Sequence, residues 1–309
     1  LADAYIQAGR PADALPVLEE SLAITLGIVS STRALQLQGL AYQNLGEPEK
    51  AIQSLEPIVE FNPRRAVSFG VYGVLGEAYD QLGHTDQAAD MFFRQGKAYL
   101  SQGSPSAILS FGRSAEAYEN LGQPRLAAEA LFNQGLAYNA MGEFHKSVKS
   151  IELSLSLDPA RAVLGNQKLA EIYTGLVQKE LERIADDPTI SRGGEEALVQ
   201  SLTDGTDRHL LFADPELAPR FLLYIGLAKR DARQFMAAAK YFRGSAKLYL
   251  DLGLSQLAAV AFTQEALADL SQLDAGRPLD QESFQALEQN ALLYNELDPP
   301  GLVAQLQFQ

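Results

Sequence analysis

Residues Leu35–Pro63 read LQLQGLAYQNLGEPEKAIQSLEPIVEFNP, and the marked positions each have a mechanical reason. Gly39 and Ala51 stand where two antiparallel helices would touch, and small side chains let the backbones approach closely. Tyr42, three residues after Gly39, shares its helical face and is sized to fill the space between this hairpin and the next. Gly46 suits the left-handed residue that ends a helix, and Pro48 opens the following helix at no cost in hydrogen bonds. Pro63 stops that second helix. The stretch predicts one helical hairpin.

The same marks recur along the chain. Gly9, Gly46 and Gly83 lie 37 residues apart, and Gly83 is preceded by Gly76 and Tyr79 and followed by Ala88 and Phe92. Set on Gly46, Gly9 makes Ala2, Tyr5 and Ala14 the counterparts of Gly39, Tyr42 and Ala51. Leu1 then falls inside the first helix of a hairpin, so the chain is expected to be part of a longer one. Beyond Gly83 the interval shortens: Gly103, Gly122 and Gly142 follow at 20, 19 and 20 residues, each with Tyr99, Tyr118 or Tyr138 four positions earlier. Strict alternation makes 66–82, 105–121 and 144–157 first helices, and 85–102 and 124–141 second helices. The other pairing joins 124–141 to 144–157. Alternation is the expectation, because an odd helix would interrupt the stacking that buries each hairpin's apolar face.

Through Gly39, Tyr42, Ala51 and Pro63 the stretch resembles the tetratricopeptide repeat family, departing from its pattern at Leu35, Gln38 and Leu55. The resemblance implies an all-α fold, a right-handed superhelical array of antiparallel helix hairpins forming an α-α solenoid, over about 1–185. It implies non-catalytic work: a scaffold or adaptor that binds a protein or peptide segment along the concave face. The alternative is a regulatory or sensor arm of a larger signalling protein whose effector domain lies elsewhere. It further implies that certain first-helix positions face the ligand: Arg33, Gln36, Leu40, Gln43 and Asn44 in the stretch above, then Gly70, Gly73, Glu77, Asp80 and Gln81, then Leu109, Gly112, Glu116, Glu119 and Asn120. The chaperone-binding members' basic clamp for a C-terminal carboxylate is absent, since Leu40, Glu77 and Glu116 stand in its places. Glycines would leave a bare floor, and the four carboxylates suit a basic partner segment. A solvated acidic face that confers solubility accounts for them as well.

Composition narrows the remaining classes. With 47% apolar and 21% charged residues the chain can build a packed core. A formal charge of −14 argues against nucleic acid as a partner. The absence of cysteine removes disulfides, thiol catalysis and cysteine-bound metal. No apolar run reaches the ~18 residues of a membrane span. His84, His145 and His209 have no nucleophile pattern nearby. Asp204-Gly205-Thr206-Asp207 lacks the alternating oxygens of a calcium loop, and Gly193-Gly194 precedes acids where a phosphate loop has lysine. No enzyme, cofactor or metal is expected.

A long helix is expected over about 160–185, with Leu164, Leu169, Ile172, Leu176 and Leu181 in its core. The regular array gives way at Asp186-Asp187-Pro188. Residues 186–216 form an acidic irregular connection, with eight acidic residues against Arg192 and Arg208 and a short possible helix EEALVQSL. Residues 217–309 read as divergent repeats with a capping helix over Leu279–Leu297. From Leu217 to Leu250 seven basic residues stand against Asp231 alone. Among them Lys240, Arg243 and Lys247 share a helix face, with Arg233 a turn earlier. Such a stripe suits an acidic peptide or a phosphate, or is neutralised by 186–216 in the same chain as a latch would be.

Overall fold

The computed structural model describes residues 1–24, 28–184, 199, 202 and 214–276, and every regular element among them is helical. The chain divides into two compact units, Leu1–Ala160 and Arg161–Gln309. The first holds α1 (Ala2–Gln7), α2 (Pro11–Ile24), α3 (Ile28–Asn44), α4 (Pro48–Phe61), α5 (Pro63–Ser68), α6 (Val71–Gln81), α7 (Thr85–Ser101), α8 (Ser106–Asn120), α9 (Pro124–Ala140) and α10 (Phe144–Leu157). Each long helix packs on its neighbours in sequence, which is the arrangement of an all-α solenoid.

One turn joins most of these helices. After the left-handed Gly46, the N–H of Glu47 donates to the carbonyl of Tyr42 at 2.9 Å, and the turns at Gly9, Gly83, Gly103, Gly122 and Gly142 repeat the bond onto Tyr5, Tyr79, Tyr99, Tyr118 and Tyr138. The expected helix 66–82 is the exception. Asn62 ends α4, Pro63 at once opens the short α5, and a left-handed Gly70 separates α5 from α6.

Helix pairing departs from strict alternation. A Cβ on Gly39 would lie 2.3 Å from Leu55, on Gly96 2.7 Å from Phe111, and on Gly135 2.6 Å from Ile151. Beside each glycine stands a glutamine, and before each large residue a serine. The Ser54 hydroxyl donates to Gln38 Oε1 at 3.2 Å, Ser110 to Gln95 at 3.0 Å, and Ser150 to Gln134 at 3.3 Å. The same glutamine-glycine against serine-large interface therefore closes α3 on α4, α7 on α8 and α9 on α10. Helices α7 and α9, expected as second helices, carry its first-helix half, and α6 is the odd one. Phe92 fills the space under Gly76 between α6 and α7 in the same way but without the glutamine and serine, so glycine spacing alone fits either pairing.

The second unit holds α11 (Ala162–Ile184), α12 (Leu217–Asp231), α13 (Phe235–Asp251) and α14 (Ser255–Asp274), each packed on the next. Phe242 lies under Gly226, and Phe221 and Tyr249 are also fully buried. In α11 Leu169, Ile172 and Leu176 are buried as expected, whereas Leu164 is 47% exposed. The side chain of Leu181 lies outside the described residues, as do the short helix EEALVQSL as a whole and the capping helix at Leu279–Leu297. The turn between α12 and α13 places Arg233 at φ 59, where the neighbouring turns use Gly253 and Gly276.

Two substitutions check these assignments. Gly135→Ala gains about 1 kcal/mol of helix propensity, but its Cβ meets Ile151 and lies 3.1 Å from the Ser147 carbonyl. Overpacking of this kind costs roughly 1–3 kcal/mol, so urea unfolding should show a net loss that Ile151→Ala partly offsets in the double variant. A fully additive double variant would mean that the two residues do not press on each other. Arg233→Gly should stabilise the chain by about 1 kcal/mol, the left-handed strain of a side chain less the added freedom of the unfolded glycine. A lower melting midpoint would refute that strain.

Candidate functional site

Helices α6 and α8 present Glu77, Asp80, Glu116, Glu119 and Asn120 to solvent. Their exposure follows from helical spacing: Leu75, Ala78 and Tyr79 on α6, and Ser114, Ala115 and Tyr118 on α8, turn inward and leave the acids on the opposite stripe. Between the two acidic groups stands Arg113. Its guanidinium lies 3.7 Å from the centre of the Phe92 ring and reaches Glu77 at 3.6 Å and Asp80 at 3.7 Å. The structure thus gathers Glu77 and Asp80 on one cation, which the sequence reading did not include. Its signal was present, because Arg113 is the only basic residue between Lys97 and Arg125. Half-exposed pairs at this length are worth about 0–1 kcal/mol, so Arg113 positions the two carboxylates without cancelling the acidity of the face.

The bare glycine floor is not there. The space beside Gly73 is taken by Gln95, whose amide nitrogen would lie 2.2 Å from an added Cβ, and Gln134 stands 2.9 Å from a Cβ on Gly112. These glycines admit a glutamine from the next helix rather than a ligand. Gly70 sits at the α5–α6 turn, and Leu109 is 70% exposed. Beneath the face the Tyr79 hydroxyl donates to Glu56, and burial together with that carboxylate holds it protonated well above the ordinary phenol range. Burial, then the charges of Asp90, Asp86 and Glu129, push Tyr118 up to about 12.

The basic stripe is divided. Lys240 and Lys247 are exposed on α13, and Arg233 is exposed at the turn before it. Arg243 turns inward and pairs at 2.7 Å with Glu265 of α14, whose side chain is wholly buried. The acidic connection 186–216 lies outside the described residues except at 199, 202 and 214–216, so the latch is not placed. A cavity of about 420 Å³ opens between α11 and α12. Its two acids are engaged, Glu171 by Lys168 and Asp231 by Asn166 and Arg230.

His84 and His145 are exposed at helix starts. His209, Asp204–Asp207 and Gly193-Gly194 lie outside the described residues. Among the described residues no group of three metal-ligating side chains gathers, and no helix is long and apolar enough to cross a membrane.

The family model described as Tetratricopeptide repeat matches residues 32–65 and 128–161. These are the hairpins α3–α4 and α9–α10, so the second match takes the pairing that strict alternation rejects. The chain is a tetratricopeptide-like helical repeat protein. No curated protein matches it. Among solved structures it is similar to the C-terminal part of a TPR repeat-containing protein from Cytophaga hutchinsonii, at 14% identity, covering 93% of this chain and 98% of that one, with a TM-score of 0.34. It is also similar to the TPR domain of P58(IPK), at 14% identity over 96% and 88%, with a TM-score of 0.26.

Arg243 is separable from its exposed neighbours by stability. Arg243→Ala removes the guanidinium beside a buried carboxylate and should destabilise by roughly 3 kcal/mol. Lys240→Ala and Lys247→Ala should stay within about 0.5 kcal/mol of the parent. Equal, small losses from all three in chemical denaturation would return Arg243 to the surface stripe.

Proposed function

We propose that this tetratricopeptide-like chain is a non-catalytic scaffold or adaptor that holds a basic segment of a partner protein against α6 and α8. Repeats of this family mediate protein–protein interaction, and the match over two hairpins carries the reading that this chain does so too. The exposed Glu77, Asp80, Glu116 and Glu119, with Arg113 as the one intervening cation, supply the chemistry. A lysine or arginine arriving at this face meets carboxylates carried on two helices that both pack on α7, so the backbone needs little ordering on binding. It would displace the weak contacts of Arg113 and gain charge-assisted hydrogen bonds in their place. Steering by the acidic surface would speed the encounter and make it sensitive to salt.

The test is capture of partners at two salt concentrations, with titration of the captured protein against the parent and against Glu77→Gln, Asp80→Gln, Glu116→Gln and Glu119→Gln combined. The combined variant should bind roughly tenfold more weakly and lose most of the salt dependence. Arg113→Ala should bind more tightly, because the competing cation is gone. Unchanged binding by the combined variant would clear these acids of any role.

A further inference from the structure

Of all the serines and threonines in the chain, only Ser68 has a basic residue three positions before it. That residue is Arg65, and Arg64 stands one position further back. No acidic residue occurs from Phe61 to Gly76, although the chain as a whole carries a formal charge of −14. An exposed hydroxyl behind a pair of arginines, in a window free of acids, is the charge pattern by which arginine-directed serine kinases choose their substrates.

The structure puts this hydroxyl within reach. Ser68 is the last residue of α5 and is exposed, with Arg64 and Arg65 exposed beside it. Its Oγ donates to the Arg64 carbonyl at 3.1 Å, a bond inside the short helix that opening of α5 releases. A kinase takes its substrate as an extended chain, so α5 must open at the site. That helix has six residues, too few to hold in isolation, and Ala66 is its one buried residue. Pro63 begins it and the left-handed Gly70 follows it, so the segment between these two breakers can open as a unit.

The surroundings also suit the modified residue. Arg33 of α3 and Arg65 both lie over the ring of Phe69, the residue after Ser68, at 5.3 and 5.5 Å from its centre. Arg33 is shared with Asp3 at 2.7 Å, whereas no carboxylate of the described residues pairs with Arg64 or Arg65. A phosphate on Ser68 would bring up to two negative charges and three acceptor oxygens to this group of guanidiniums, each of which can give charge-assisted bonds. At an exposed helix end the dipole of α5 opposes that charge only weakly.

We propose that Ser68 is a phosphorylation site for an arginine-directed serine kinase, and that Arg64 and Arg65 of α5, with Arg33 of α3, then hold the phosphate. Ser68 Oγ attacks the γ-phosphorus of ATP, and the Oγ–P bond forms as the bond from that phosphorus to the β–γ bridging oxygen breaks. ADP leaves with the electron pair, and the hydroxyl proton passes to the kinase's catalytic carboxylate. The phosphate links α3 to α5 through charge. Glu77, Asp80, Glu116 and Glu119 take no part in it.

The test incubates the whole chain with magnesium, ATP and the catalytic domain of a calmodulin-dependent kinase, and locates the modified residue by tandem mass spectrometry. One phosphate should enter, at Ser68. Ser68→Ala should take up none, and Arg65→Ala should slow transfer roughly tenfold. Lys149→Ala, an exposed control on α10, should be modified at the parent rate, as should Glu77→Gln and Glu116→Gln, so failure here is distinct from failure on the acidic face. Far-UV circular dichroism of Ser68→Ala and Arg65→Ala should match the parent, since both side chains are exposed. Chemical denaturation of the phosphorylated chain should show a higher midpoint than the unmodified one, and Arg33→Ala should remove part of that gain. No transfer to the folded chain, transfer to another residue in preference to Ser68, or an undiminished rate with Arg65→Ala would overturn the site. A midpoint unchanged or lowered by the phosphate would overturn the role of the three arginines in holding it.

Discussion

The first unit depends on the close approach of glycine to a large side chain, accompanied at three helix interfaces by a glutamine–serine bond. Gly39, Gly96 and Gly135 let Leu55, Phe111 and Ile151 sit against helix backbone, and the flanking Gln38, Gln95 and Gln134 bond Ser54, Ser110 and Ser150 alongside. The apolar half supplies most of the free energy, because a large side chain removed from water is worth about 1.5–3 kcal/mol. The polar half sets register. A slide of one residue would part glutamine from serine, and although Ser54 and Ser110 keep the carbonyls of Lys50 and Ser106 on their own helices, each lost bond favours the native register by about 0.5–1.5 kcal/mol. Together they make each hairpin a unit that closes in one way.

That rigidity explains how charges come to be arranged in three dimensions. Once the inward stripe of each helix is taken by small and aromatic residues, the outward stripe is left to fixed rows of side chains. On α6 and α8 those rows are acidic around Arg113; on α5 and the second half of α7 they are basic around Phe93 and Phe69. The two surfaces alternate within one unit even though the chain as a whole is strongly acidic. Net charge alone would have assigned this molecule a single kind of surface.

Helices, turns and the repeat family were legible in the sequence because glycine, proline and tyrosine act locally. The bond after Gly46 needs only the residues from Tyr42 to Glu47. Pairing was harder, since Gly76, Gly96 and Gly135 look alike as single residues. What separates them is the pair of residues sixteen or so positions onward, serine then a large apolar residue, and the glutamine just before the glycine. Read as Gln-Gly and Ser-Leu, Ser-Phe or Ser-Ile, the sequence does contain the answer. The site was less legible for a related reason. Glu77 and Asp80 were visible as exposed acids, but Arg113 meets them only across a helix interface. Arg243 had the spacing of an exposed stripe and went inward because Glu265, twenty-two residues later, is buried beside it. Spacing along one helix tells which residues share a face. It does not tell which of them the next helix will claim.

The odd helix connects these strands of the argument. The expected helix over 66–82 would run unbroken across Phe69-Gly70. Instead Pro63 and the left-handed Gly70 break that helix into α5 and α6, and the shortened pieces contribute only Val67 and Tyr72 to α7's outer side. Along α7 they leave an open cleft of about 550 Å³. It contains Asp90, Phe93, Lys97 and Ser101, which stand in the same places around Gly96 as Arg33, Gln36, Leu40 and Asn44 do around Gly39. The departure from the repeat thus falls between two hairpins that close in the same way, α3–α4 and α7–α8.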